Sequence, residues 1–332
     1  VGILGVKNWT HILCWRIESI DNLAVPAIAF DVPNYISRRI SAVGDYQKFR
    51  ERIPMIHVTL MIGTIKAAIK QHITPVLIFD GPPERLKRVP NPQLIQQAYE
   101  IYSIFKKNQT PNNPELAQVL YESPALKSYF AAHHLKDLCH ALGIPVITAP
   151  SEAEMTAAAL CRDGLVGTVV SNDADTLLFG STHVTKGLRL MKKQMESISL
   201  DDVLSSLNLT LDQLRDLAIL CGCDFHKGVK GVGPRRGSVL LNRHENLENV
   251  LKAIGIPASE RESYLISREV FEEADLVDGK SFNLALNAPI TSTVERILTI
   301  VRGKDWAERT AIEFVRLRKD FGVQQSTLEA WC

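Results

Sequence analysis

Apolar residues fall in two different periods along this chain. Residues 27–30 form an unbroken apolar run that ends in Asp31, and residues 75–79 form a second that ends in Asp80. Between them Met55, Val58, Ile62, Ile65 and Ile69 recur at helical spacing, so the pattern predicts strand, helix, strand. Residues 144–147 read as a third strand, 152–162 as a helix and 166–170 as a further strand. Thr210, followed three residues on by Gln213, is a capping box that opens a helix over 211–221. Alternating β and α segments of this kind bury a mostly parallel sheet under flanking helices, which places the chain in the α/β class. Residues 84–128, rich in Pro, Asn and Gln, interrupt the rhythm and read as an insertion. The organisation expected is therefore an α/β part over 1–83 that resumes over 129–208, the insertion at 84–128, a helical region over 209–320 and a tail over 321–332.

Composition changes this picture little. With 332 residues, 45% of them hydrophobic and 23% charged, the chain is an ordinary globular one with enough length for a sizeable core. No stretch reaches the roughly 18 apolar residues of a membrane helix, and no basic-then-apolar signal pattern opens the sequence. The 6 cysteines have neither disulfide-framework nor zinc spacing, which fits reduced thiols in an intracellular protein. The 9 histidines match no zinc signature, and His133-His134 reads as an exposed helical pair.

The candidate chemistry lies in seven carboxylates: Asp31, Asp80, Glu152, Glu154, Asp173, Asp175 and Asp224. Strand followed by acid occurs at Asp31, at Asp80 and again near Asp173, and the carboxyl ends of parallel strands are where open α/β sheets place their sites. Seven converging acids cannot all ionise unless cations join them, and hard divalent ions with oxygen ligands are the natural partners. The inference is a two-metal phosphodiester hydrolase. Each acid also has an ordinary reading; Ser151-x-x-Glu154 is a capping-box pattern, so Glu154 could serve only a helix start. Asp173 and Asp175, two apart, share one side of an extended segment. Glu152 and Glu154 can share a site only if it wraps the start of their helix. Net charge is +1, but setting the seven acids aside leaves 30 acids against 38 bases, a balance of +8 for phosphate-binding surface.

In order, Gly2-Ile3-x-Gly5, the strand before Asp31, FDGPP (79–83), APSEAE (149–154), NDADTLLFG (172–180) and GCDFHKGVKGVGPRR (222–236) resemble the flap endonuclease family of structure-specific 5′-nucleases, in its archaeal form. The resemblance spans residues 2 to about 241. It implies a PIN-like fold with an arch insertion and a C-terminal helix–two-turn–helix region. It also implies a DNA-cleaving enzyme using two Mg²⁺, with Mn²⁺ able to substitute, acting on 5′-flap, nicked or gapped duplex with 5′-exonuclease activity. Asp31, Asp80, Glu152 and Glu154 correspond to the family's first metal cluster, and Asp173, Asp175 and Asp224 to its second. Lys87 corresponds to a lysine at the base of the arch that contacts the scissile phosphate, with Asp31, Asp80, Glu152 and Asp173 beside it in the catalytic set. Where the family carries an arginine two helical turns later this chain has Leu94, and Val89-Pro90-Asn91-Pro92 breaks a helix begun at Lys87. Arg88 is the candidate substitute.

Gly2 and Tyr35 join the implied DNA contacts, Tyr35 either stacking on a base or packing in the core. Lys227, Lys230, Gly231, Gly233, Arg235 and Arg236 form a glycine-rich basic turn suited to backbone phosphates, and in relatives this element also holds K⁺ through carbonyl oxygens. Gln325, Leu328 and Trp331 resemble a sliding-clamp-binding peptide of the PCNA type, unstructured until bound, with Cys332 in place of its final aromatic. Replication and repair in an archaeal cytoplasm or nucleoid, or in a eukaryotic nucleus, is the setting implied. The alternatives are a Holliday-junction resolvase or excision-repair nuclease of the same superfamily, and a non-catalytic junction-binding protein.

Overall fold

The computed structural model describes residues 13–42, 51–82 and 92–329; the side chains of residues 38, 41, 42 and 323–329 are outside that description. Seven strands occur among the described residues: β1 (Arg16–Ser19), β2 (Ala27–Asp31), β3 (Thr74–Phe79), β4 (Val146–Thr148), β5 (Thr168–Val170), β6 (His183–Arg189) and β7 (Gln194–Ser199). The helices that bear on the site and its supports are α1 (Val32–Ala42), α2 (Ile56–Lys70), α3 (Pro92–Asn108), α4 (Pro114–Glu122), α5 (Pro124–Ala141), α6 (Ala153–Arg162), α7 (Leu200–Leu207), α8 (Leu211–Cys221), α9 (Pro234–His244), α10 (Leu247–Ala253), α11 (Ala258–Asp275), α12 (Thr291–Arg302) and α13 (Lys304–Glu329).

The chain divides into two compact units. One comprises residues 13–25, 80–82 and 149–282 of the described chain, the other residues 26–42, 51–79, 92–148 and 283–329. In the second unit β2, β3 and β4 pair in parallel, Asp31 standing opposite Ile78 in the ladder. Every residue of β2 is buried, which is why its sequence is a continuous apolar run rather than an alternating one. In the first unit β5 and β6 are parallel, while β6–β7 and β7–β1 are antiparallel. The mostly parallel α/β class read from the sequence is the class observed. Strands β1, β6 and β7 escaped the sequence pattern, because partly exposed strands that mix polar and charged residues with few apolar ones leave little apolar signal.

The proline-rich stretch is largely helical from Pro92 onward. Proline is at home in the first turn, where its missing N–H would have no partner, and Pro114 and Pro124 open α4 and α5 in the same way. Ala98, Ile101, Tyr102 and Phe105 of α3 pack with Ala117, Leu120, Leu126 and Phe130 in one core of the second unit. The core of the first unit gathers Met155, Leu177, Phe179, Leu217, Leu220, Leu241 and Phe271. The capping box at Thr210 and Gln213 is present as expected, both reciprocal bonds being made. At the other end of the chain, residues 321–329 continue the helix α13, where an irregular tail was expected.

Candidate active site

Two of the seven carboxylates leave the carboxyl edge of the parallel pair β2–β3. Asp31 ends β2, is 2% exposed, and its Oδ1 accepts the Asn34 N–H at 3.2 Å from the first turn of α1. Asp80 follows directly on β3 and is exposed. Its Oδ1 accepts the Ala153 N–H at 2.9 Å, so Asp80 caps the start of α6 from another segment of the chain. The glycine of the FDGPP motif has a steric cause: a Cβ on Gly81 would stand 2.0 Å from the Ala149 carbonyl oxygen, and the Gly81 N–H donates to Ser151 O at 2.7 Å.

Glu152 is the N-cap of α6 in extended conformation, with no cap bond from its side chain, and Glu154 lies in the first helical turn. The N-cap is thus Glu152, one residue later than the Ser151-x-x-Glu154 pattern places it. With one acid just before the helix and one inside its first turn, the pair flanks the helix start, the arrangement that a shared site requires.

Asp173 and Asp175 do not share an extended segment. Asp173 caps a one-turn 3-10 helix, Ala174–Leu177, its Oδ1 accepting the Asp175 N–H at 3.1 Å. Buried Ser171, which the sequence did not single out, accepts the Asp173 N–H through Oγ at 3.1 Å. Asp224 sits in the tight turn after α8, where Cys223 and His226 exchange backbone hydrogen bonds at 2.8 and 3.2 Å. The Cys223 thiol is pushed up to about 11, by burial first and also by the carboxylates of Asp175 and Asp224.

Among the described residues no three His, Cys, Asp or Glu side chains already stand in a metal-holding cluster. The donor chemistry nonetheless fits hard divalent cations, since every candidate is a carboxylate oxygen. Asp31, Glu152 and Asp175 are 2, 7 and 8% exposed, so their negative charge lies where a cation interacts strongly.

The basic turn opens on the surface of the same unit as Asp224. Lys227, Lys230, Gly231, Arg235 and Arg236 are exposed, and Gly233 caps α9 with Pro234 behind it. Gly228, at φ +78°, could not carry a Cβ, which would lie 2.4 Å from the Gly222 nitrogen. Arg236 Nη1 donates to Gly231 O at 3.2 Å and steadies the turn. A helix start, open backbone and four exposed cations thus lie together on one surface segment.

Two expectations are corrected. Tyr35 is a core residue, 3% exposed, its hydroxyl 2.7 Å from Thr64 Oγ1, with the Arg39 guanidinium over one face and Phe30 at its edge; no face is left for a base. His134 is no exposed helical residue: it is 2% exposed and bonds His57 at 3.0 Å. Gly2, Lys87, Arg88 and Trp331 lie outside the described residues, and for Gln325 and Leu328 only the helical backbone is described.

Known proteins resemble this chain along most of its length. Residues 143–224 match the XPG I-region family model. The flap endonuclease 1 of Ostreococcus tauri is 30% identical over 99% of this chain and 89% of its own length. Among solved structures, the flap endonuclease-1 from Methanococcus jannaschii superposes with a TM-score of 0.68 at 24% identity, over 94% of this chain and 98% of that one. Human GEN1 in complex with Holliday junction DNA gives 0.67 at 20% identity, over 95% and 78%. At such identities the two structures speak for the fold, which is the PIN-like one. Similarity to a flap endonuclease along nearly its whole length, with the acidic motifs in order, means that this chain belongs to the flap endonuclease family.

Proposed function

We propose that this nuclease is a structure-specific 5′-flap endonuclease that also trims nicked or gapped duplex from the 5′ side. The observation that carries the reading is that a single segment, residues 222–236, running from the end of α8 into the first turn of α9, supplies both the acid Asp224 and the basic residues. Duplex held by Lys227, Lys230, Arg235 and Arg236 would therefore stand at a set distance from the carboxylates. Cleavage position is then measured from the duplex and not from base sequence.

Two divalent ions, Mg²⁺ with Mn²⁺ able to substitute, would supply an acidified water and neutralise charge on the scissile phosphate. Asp31, Asp80, Glu152 and Glu154 would hold one ion and Asp173, Asp175 and Asp224 the other. Asp80 meanwhile keeps the start of α6 in place through the Ala153 N–H. Lys87, with Arg88 beside it, is proposed to face the phosphoryl oxygens as charge develops on them. K⁺ at the carbonyls of the basic turn and a sliding clamp at Gln325, Leu328 and Trp331 belong to the same proposal.

A labelled panel of 5′-flap, 3′-flap, bubble and four-way junction, incubated with Mg²⁺ or with EDTA, tests it. Cutting of the 5′-flap near its junction in Mg²⁺ alone is the expected result. Preference for the four-way junction would assign the chain to resolution, and binding without cleavage in any metal would leave it a junction-binding protein.

A further inference from the structure

We infer that Arg215 is a positioning residue that holds the turn bearing Asp173 and Asp175. The inference rests on the reading of these two acids as metal ligands. Arg215 interrupts the apolar face of α8 and is only 3% exposed. Its Nη1 and Nη2 donate to Asp275 Oδ2 and Oδ1 at 2.7 and 2.6 Å, a two-pronged pairing with the end of α11. Nη1 also reaches Asp212 Oδ1 at 3.3 Å, and the guanidinium lies 5.9 Å from the Phe271 ring centre. The remaining donor, Nε, points at the backbone and donates to Leu178 O at 2.8 Å.

Leu178 is the C-cap of the one-turn helix that Asp173 opens, and its N–H donates to Asp175 O at 2.8 Å. One turn of 3-10 helix has too few internal bonds to fix its own direction. Arg215 supplies the missing anchor from a helix with a full hydrogen-bond ladder. Asp275 in turn also faces Arg162, the last residue of α6: Nη1 stands 3.7 Å from Oδ1, while Nη2 donates to Val277 O at 2.7 Å. The helix whose start carries Glu152 and Glu154 and the turn carrying Asp173 and Asp175 thus share one carboxylate as their reference point.

Stability alone does not account for this arrangement. Arg215 is buried but Asp275 is exposed, so the attraction between them is screened by solvent while the guanidinium still loses its hydration, and such a pair is commonly worth little net stability. What an apolar side chain cannot supply is a donor for the Leu178 carbonyl, and a lysine cannot pair with a carboxylate by two prongs and donate a third bond in a fixed direction.

Arg215→Lys keeps the charge opposite Asp275 and removes the fixed Nε–H. In metal-free protein, amide hydrogen exchange should quicken about tenfold or more over residues 174–180, with α8 itself unchanged. On a 5′-flap the single-turnover rate should fall by about 10²-fold, the scale of a small misplacement of reacting groups. Half-saturating Mg²⁺ should rise about tenfold, as when a residue supporting a metal ligand is lost. Flap affinity in Ca²⁺ should stay within about twofold, because α8 touches no phosphate in this reading. Asp275→Asn leaves the Arg215–Leu178 bond in place and should lose thermal stability with a rate loss about tenfold smaller. If Arg215→Lys does not fold, Arg215→Gln with Asp275→Asn removes both charges together, strands neither, and should show the same slow cleavage and fast exchange. Unchanged exchange over 174–180 with a wild-type rate overturns the inference, as does rate loss that merely tracks melting temperature in all variants. Asp173→Asn, run alongside, separates the two readings: normal cleavage by that variant would remove Asp173 from the ligands, while the exchange data would still judge the clamp.

Discussion

Asp173 does two jobs at once, and the conservative substitution separates them. Its carboxylate caps the following turn through the Asp175 N–H and contributes negative charge beside Asp175. Asp173→Asn keeps a cap and removes the charge, so cleavage should be abolished while duplex binding persists. Melting temperature in EDTA should hold or rise, because repulsion is relieved. Asp173→Ala should be equally inactive but lose about 1 kcal/mol with the cap. Near-normal turnover by either variant would remove Asp173 from the metal site. Tyr35 is the contrast. Tyr35→Phe deletes a buried bond to Thr64 and should cost about 1 kcal/mol in denaturant unfolding, with flap affinity unmoved.

The loop and helix from Gly222 to His244 are built for backbone approach. Gly237 lets α9 lie close on α8, since a Cβ there would come 2.4 Å from Leu217 Cδ1, and Leu217 is fully buried. Gly237→Ala should therefore destabilise by about 1–3 kcal/mol through overpacking, despite the better helix propensity of alanine. The exposed cations of the same element should behave quite differently. Replacing Lys230 and Arg235 by Ala should leave stability alone and weaken duplex binding equally for every sequence. The slope of log affinity against log salt should shrink by roughly one to two units. An unaltered slope would show that these side chains do not meet phosphates.

Across the whole molecule, acid should act first on the unit that contains α2, α3 and α5. His57 and His134 lie buried there and hydrogen-bonded ring to ring, with Tyr102, Phe105 and Phe130 around them and Asp137 and Lys106 nearby. Burial lowers both imidazoles below the ordinary histidine range, His57 further by the presence of His134. In the neutral pair one ring donates and the other accepts, and burial disfavours adding a proton and its charge to either. A histidine whose pKa is depressed on folding contributes stability that is complete above the unfolded value near 6.5 and is lost as pH falls below it. Stability should decline by up to about 1.4 kcal/mol per pH unit for each proton taken up. Urea melts at pH 7.5 and 5 should show the decline, and His57→Phe with His134→Leu should flatten it. An equally steep decline in that double variant would place the acid sensitivity elsewhere.

Much of this protein is written in one dimension. Continuous apolar runs specify strands buried on both faces, so β2 and β3, and the acids that end them, were legible at once. Thr210 and Gln213 announced the start of α8 because a cap is a local bond between near neighbours, and the glycines of 228–233 announced backbone approach. Other features depend on partners distant in sequence and appear only when the chain is folded. Asp80 caps a helix that starts at Ala153, 73 residues away, a role that no local pattern could announce. Tyr35 stays open between base and core, and His134 looks exposed, until Thr64 and His57 bond to them in the interior. Arg215 is one charge in an apolar stripe until Asp275 and Leu178, 60 and 37 residues distant, turn it into an anchor. Local periodicity and caps fix which segments become strands and helices, because their energies depend on neighbours in the chain. Which polar groups meet in the interior is decided by packing, because a buried donor must find whichever acceptor the tertiary fold brings to it.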